Sequence, residues 1–566
     1  MPGLHVPPRC RLSVLRFTKW RLSVLLAFSI LLFRLPAALG QTAPPEHRPL
    51  PTGPYRIAGT VVSAKGGNAL AGARVALSDV KNPQNTGSFV TSENGRFEFH
   101  VTAGKFSLQG SKRGYINSGY NQHDQYWTGI VTGADVETEN LVFRLSPAAA
   151  LTGKVFDESG EPVRNAQIAV YREDRFSGIG RILQVGSAQT DDQGAYEVTP
   201  LTEGTYFVSV TAQPWYAVHP VSARAGSATP GLVDRSLDVT YPVTYYGDAT
   251  EAEDASPIPV RGGDRLEADI HLNPVPALHL IFHDAGAGRY GITAPVLQKP
   301  AFDGMENVPN SGIEQVAPGV YEMTGVAAGR YVVRMPDSPG EMKAPTEVDL
   351  TSGQELAVSS GSSTSKVKAS VQVAGEATLP TGLQIVLRNN KGRNVAVAQA
   401  DPKGEFNLQD IAPGKYEVLA GSPNKAYSVV RIASEAGTTS GHTLEVPAGA
   451  SLAVSLSLAA GSVTVEGFAK RAGKAAPGVM VVLVPKDPEA NLELFRRDQS
   501  DLDGSFSLQG VVPGSYTVMA IENGWDLDWA KPAVLERYLP HGQTIAVGEQ
   551  AKGSVHLPKP VEVETK

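Results

Sequence analysis

Apolar and polar residues alternate with a period of two through most of the chain. In "GSFSLQGVVPGSYTVMA", from Gly504 to Ala520, Phe506 and Leu508 alternate with Ser505 and Ser507. A turn "VPGS" follows, and Tyr516 and Val518 resume the alternation. A period of two sends successive side chains to opposite faces of a strand, so the stretch predicts a β-hairpin with one buried and one wet face. No long stretch of helix formers rich in Ala, Leu, Glu and Lys competes with that pattern.

The same hairpin recurs. "TSENGRFEFHVTAGKFSLQG" begins at Thr91, "TDDQGAYEVTPLTEGTYFVSV" at Thr190, "ADPKGEFNLQDIAPGKYEVLA" at Ala400 and a weaker copy, "APGVYEMTGVAAGRYVVRM", at Ala317. Each has a glycine, an aromatic two residues on, a second glycine and another aromatic two residues after that. The first glycines are Gly95, Gly194, Gly319, Gly404 and Gly504, and the second are Gly104, Gly204, Gly329, Gly414 and Gly514. Successive first glycines lie 99, 125, 85 and 100 residues apart, which is the size of a domain rather than of a solenoid repeat. Asp at the first turn position and Gly at the fourth suit a type I turn, and Asp401–Pro402 puts proline where that turn favours it.

Each block also opens on a strand, as in "YRIAGTVVSAKG", and closes on a Gly turn followed by an alternating strand, as in "PAGASLAVSLSL". The pattern predicts an all-β chain of about five tandem antiparallel seven-stranded sandwiches, immunoglobulin-like or prealbumin-like. The expected boundaries are a leader at 1–40, a linker at 41–54, sandwiches at 55–147, 148–275, 276–368, 369–460 and 461–558, and a tail at 559–566. The third block is degenerate, and the second carries an aromatic insertion. Joins such as "SPAAA" and "NPVPA" predict domains in a row with little mutual burial.

The first forty residues differ from the rest. Five basic residues precede an apolar run from Leu22 to Phe33, and Ala38-Leu39-Gly40 offers small residues for cleavage before Gln41. This is the pattern of a secretory signal peptide, and the run is too short to span a bilayer. Arg34 interrupts the apolar stretch, so an uncleaved anchor is the alternative, and the only one under which a membrane is met. The expected location is outside the cytoplasm, secreted, periplasmic or at the cell surface. Without the leader's six basic residues the net charge falls from −7 to −13. That balance argues against nucleic acid and anionic membranes as partners. The single cysteine, Cys10, lies in the leader, which leaves no disulfide, thiol nucleophile or thiolate metal site beyond it.

"GKVFDESGEPVRNAQIAVY" followed by "TDDQGAYEVTPLTEGTYFVSV" resembles the carboxypeptidase regulatory-like domain, a transthyretin-like sandwich within the carbohydrate-binding-like fold group. The resemblance implies a non-catalytic accessory role, with no cofactor.

Several motifs offer chemistry and fail on context. A calcium loop with Gly504 as its sixth residue would need acids at Gln499 and Gly510. "GAGRYG" at 286–291 matches the dinucleotide fingerprint but opens no helix. "HTLE", His442 to Glu445, has the spacing of the zinc pair of metallocarboxypeptidases, yet no α/β peptidase domain is left over. No metal and no catalytic residue is therefore expected.

The tryptophans carry the remaining signal. Beyond Trp20 they are Trp127, Trp215, Trp525 and Trp529, each after a motif strand and before the closing strand of its block. Tyr126, Tyr216, Tyr245 and Tyr246 accompany them, with polar neighbours such as His123, Asp124, Asp526 and Asp528. Connecting segments carry function more often than cores do. Flat aromatic faces beside carboxylates and amides suit sugar rings, so these eight aromatics are the candidate ligand site, with a glycan or a cell-surface protein as partner. The alternative is that they pack against the sandwich edge. A separate function class, an enzyme with its site in 215–254, is kept beside the binding or structural reading.

Overall fold

The structure, a computed structural model, describes residues 48–566 apart from short internal stretches, the longest being 221–233, 284–294 and 356–364. The expected leader and the 286–291 motif lie outside the described residues.

Five sandwiches follow one another, each with its own apolar core. The cores centre on Ile57, Phe97 and Phe143, on Leu151, Ile168 and Tyr206, on Leu280, Phe282 and Tyr331, on Ile385, Tyr416 and Leu458, and on Val465, Leu483 and Tyr516. Among the described residues the one α-helix is Pro532–Tyr538.

The recurring two-strand unit explains why, and it corrects the predicted hairpin: its strands do not pair with each other but cross from one sheet to the other. In the fifth sandwich, strands Ser505–Val511 and Gly514–Glu522 go to opposite sheets: the first pairs with the opening strand Val463–Arg471, the second with Met480–Pro485. Their alternate residues meet in the middle, so Phe506 and Tyr516 are both buried. The first glycine is required for two reasons. Gly95, Gly194, Gly404 and Gly504 have φ between +70° and +85°, a region L side chains rarely adopt. A Cβ there would also lie 2.4–2.8 Å from a carbonyl oxygen of the opening strand. Gly319 lies outside the described residues.

The second aromatic closes the turn. Tyr206, Tyr331, Tyr416 and Tyr516 are buried, and each hydroxyl donates to the carbonyl four residues earlier, of Thr202, Ala327, Ala412 and Val512, at 2.7–2.9 Å. This arrangement resembles the tyrosine corner of immunoglobulin-like sandwiches.

Two expectations change. The sandwiches are not purely antiparallel, because each opening strand pairs in parallel with its closing strand, as Tyr55–Ser63 does with Leu141–Leu145 and Ser365–Val373 with Ser451–Ala460. Residues 559–566 are not a free tail: Val561–Thr565 is a strand that pairs with both Val463–Arg471 and Gly514–Glu522, and Val561 is fully buried.

The row of domains with little mutual burial is corrected as well. Pro49–Lys566 form one compact unit. The fifth sandwich touches the first and the second, across more than 300 residues of sequence. Asp501, in the turn that leads into strand Ser505–Val511, accepts from the Gly129 N–H at 3.0 Å and pairs with Lys105. Leu502 returns a backbone bond to the Gly129 carbonyl at 2.9 Å. In the turn weighed above as a calcium loop, Asp501 thus docks one sandwich on another, while Asp503 bonds only to the nearby Ser505.

Candidate functional site

Two hairpin tips and one strand edge build a junction. The first tip, residues 121–128 of the first sandwich, bends sharply at Asn121 and Asp124, both in the left-handed region, where Asn and Asp are tolerated. It docks on strand Arg496–Gln499. Gln499 donates to the Asn121 carbonyl at 2.6 Å and to the Thr128 hydroxyl at 2.8 Å, and its oxygen lies 3.1 Å from His123 Nδ1. The His123 ring stacks flat on Trp525, with centroids 4.7 Å apart. Burial lowers the His123 pKa.

The second tip lies between strands Gln167–Asp174 and Arg181–Gln189 of the second sandwich. The Gly178 carbonyl accepts from the Ala530 N–H at 3.0 Å, and the Gly180 N–H donates to Asp528 at 2.8 Å. Gly178 has φ +82°, and a Cβ on it would lie 2.5 Å from that of Ala530, so the close approach needs glycine.

Arg497 sits where the three meet. Its side chain is 3% exposed, and its guanidinium lies over four rings: Tyr126 and Trp529 at 5.1 Å, Phe176 at 5.3 Å and Trp525 at 5.5 Å. Its Nη2 pairs with Asp124 at 2.9 Å, while Nη1 is buried with no hydrogen-bond partner. The indole N–H of Trp529 is likewise buried and unpartnered. A cavity of about 410 Å³ opens beside them. Arg497, Phe495 and Trp529 are its buried walls, and Gln125, Phe176 and Gln509 form an exposed rim. Asp498 lines it too, its carboxylate accepting from the backbone N–H of Gln499 and Ser507. Burial pushes its pKa up to about 6.

Of the eight aromatics singled out in the sequence, the junction gathers Tyr126, Trp525 and Trp529. Trp529 is 5% exposed and packs on Phe495, which is the alternative placement stated above. Trp525 does not share a helix with it: Gly524–Asp526 is a 3-10 turn, and the helix starts at Pro532. Trp127, on the same tip, is 40% exposed. The other residues lie elsewhere. Trp215 is 82% exposed and stands edge-on to Tyr216, whose hydroxyl, with that of Tyr241, grips the Glu158 carboxylate. Tyr246 packs on the second core. Tyr245 is fully buried against Phe302 of the third sandwich and offers no face to a ligand.

Arg497, Phe176, Phe495 and Asp498 escape sequence reasoning, because a strand arginine and a hairpin-tip phenylalanine look like ordinary surface residues. A second cluster escapes it too. His219 pairs with Asp238 at 2.8 Å, Asp238 with His279 at 2.8 Å, and His279 with the buried Glu322 at 2.7 Å. Burial would lower the His279 pKa, but the bonds to Glu322 and Asp238 outweigh it and hold the imidazole above its ordinary value. The zinc-like pair is not one: His442 binds the Val429 carbonyl and Asn491, each at 2.7 Å, while Glu445 lies in strand Thr443–Val446. Among the described residues no group of three His, Cys, Asp or Glu is placed to hold a metal ion.

The family model of the carboxypeptidase regulatory-like domain matches residues 56–145 and 150–234. That of the second β-sandwich domain of BOS complex subunit NOMO1-like proteins matches residues 365–443. No curated protein matches in sequence. Similar solved structures include the Bacillus anthracis TIE protein, at 9% identity and TM-score 0.17, covering 90% of this chain and 74% of that one. A streptococcal ancillary pilin, at 11% identity and TM-score 0.20, covers 50% and 98%, and the shaft pilin SpaA of Lactobacillus rhamnosus GG, at 10% and 0.18, covers 39% and 97%. At those scores the overlays carry no functional argument. Domains like the carboxypeptidase regulatory-like domain therefore stand in tandem here, and a sandwich like the second of NOMO1-like subunits follows them.

Proposed function

We propose that the chain is a non-catalytic, exported binding protein that takes a glycan at the junction of its first, second and fifth sandwiches. The observation that carries this reading is the cavity of about 410 Å³ walled by aromatic rings and rimmed by Gln125 and Gln509. Its size falls in the range of small-ligand sites, about 300–1,000 Å³, and rings with amide donors at the rim suit the two faces of a sugar. The signal-peptide pattern expected at 1–40 and the match to the carboxypeptidase regulatory-like domain support the same reading.

The enzyme reading places its site in 215–254. The one observation that favours it is the histidine–carboxylate cluster that starts in that segment with His219 and Asp238 and continues outside it to His279 and Glu322. His279, however, has both ring nitrogens held by carboxylates, so it has no free nitrogen for a substrate proton. A glycan array with the full-length chain tests the binding reading, and turnover of glycosidase, esterase or peptidase substrates lost with His279→Ala would replace it by the enzyme reading.

A further inference from the structure

Three features of the junction cavity specify more than a neutral sugar. The first is the Arg497 guanidinium, buried and surrounded by rings, with Nη2 committed to Asp124 and Nη1 bonded to nothing. A buried cationic donor without a partner is costly, and a ligand acceptor removes that cost. The second is Trp529, another wall of the cavity, whose indole N–H is buried with no acceptor from the protein. The third is the charge around them. Asp124 already neutralises Arg497 in part, and Asp498 lines the cavity, so a dianion such as a phosphate monoester meets repulsion where a single carboxylate is accommodated. Arg496 also lines the cavity, with its Nε and Nη1 bound to the carbonyls of Gly510, Glu493 and Phe495.

We propose that this cavity binds a uronic-acid unit of an acidic polysaccharide, its carboxylate on Arg497 Nη1 and its ring against Tyr126 and Phe176. The proposal rests on the glycan reading above and narrows it to one class of sugar. The carboxylate forms a charge-assisted bond with a donor that is already desolvated and fixed by packing, so little ordering is required. The rings supply apolar contact to the C–H face of the sugar.

The test titrates the full-length protein with trigalacturonic acid, its methyl ester and neutral galactotriose, reading tryptophan fluorescence and calorimetry. The expected result is binding of the acid in the micromolar to millimolar range, at least tenfold tighter than the ester or the neutral trimer. Arg497→Gln removes the anchor but also opens a contact between three sandwiches. Gln509→Trp, on the exposed rim, therefore serves as the second variant: it fills the mouth and should weaken the acid at least tenfold with the melting profile unchanged. Asp498→Asn removes a neighbouring carboxylate and should tighten binding at pH 7. Equal affinity for acid and ester overturns the carboxylate anchor and leaves the glycan reading standing. Silence toward all three trimers, with other glycans positive on the array, overturns the uronate proposal alone. Silence toward every glycan overturns both.

Discussion

A tyrosine hydroxyl bonded to a carbonyl four residues back, across a glycine turn, recurs in four of the five sandwiches. The ring fills the core and the hydroxyl has one partner, so the two contributions separate. Tyr516→Phe should lower the stability of the fifth sandwich by about 1 kcal/mol, the net worth of one buried hydrogen bond. Tyr516→Ala should cost about 3–5 kcal/mol, as for other large core aromatics. Gly504→Ala meets the Ala469 carbonyl at 2.5 Å from a strained φ, and should cost more than about 1 kcal/mol. Denaturant melts of the three variants check that order, and a Tyr516→Phe cost equal to that of the alanine would contradict it. These positions were legible in the sequence, because glycine spacing and period-two alternation are local. Arg497 was not. Its surroundings come from residues 124–126, 176 and 525–529, and no periodicity connects them.

At the scale of elements, the Asp-x-x-Gly turn that opens the fifth two-strand unit does something its counterparts do not. In the second and fourth sandwiches the turn aspartate caps its own loop: Asp191 accepts from the N–H groups of Gln193 and Ala195, and Asp401 from those of Lys403 and Glu405. Asp501 keeps only the Ser505 hydroxyl and reaches Gly129 and Lys105 of the first sandwich, and Asp503 takes over the bond from the Ser505 N–H. Asp501→Ala should therefore release the tip 121–129, read as faster amide exchange there, while Asp191→Ala leaves that tip unchanged. Equal protection in both variants would show that the contact contributes nothing. Asp503→Ala should cost under about 1 kcal/mol, since its bonds are local and partly exposed. Sequence pattern finds the two strands but misreads them as a hairpin, and it misses the turn's destination because the same Asp-x-x-Gly turn serves both uses. The tryptophan segments were recognisable as outliers from the strand pattern, but which of them pack and which stay open depends on neighbours far along the chain.

Taken as a whole, the molecule buries acids where its sandwiches meet. Burial raises the pKa values of Asp498, Asp501, Glu306 and Glu493, and carboxylate partners raise that of His279 despite its burial. A group whose pKa is higher folded than unfolded stabilises the fold fully below its unfolded value and loses that contribution as pH rises through the folded one. For Asp498 the window runs from 3.8 to about 6, and the shift is worth roughly 3 kcal/mol. His123, lowered by burial, opposes this below the ordinary imidazole value of 6.5. The protein should thus melt at a higher temperature at pH 5 than at pH 8, and Asp498→Asn should flatten the difference. A higher melting temperature at pH 8 would contradict the assignment. The clasp of the first, second and fifth sandwiches around Arg497 is the central claim, and tryptophan accessibility tests it most directly. In full-length chains reduced by Trp→Phe replacement to one indole each, Trp215 should emit at long wavelength and be quenched by iodide, Trp127 should be intermediate, and Trp529 should be blue-shifted and shielded. If Trp529 is quenched as readily as Trp215, the three sandwiches do not close on one another and the junction does not exist in solution.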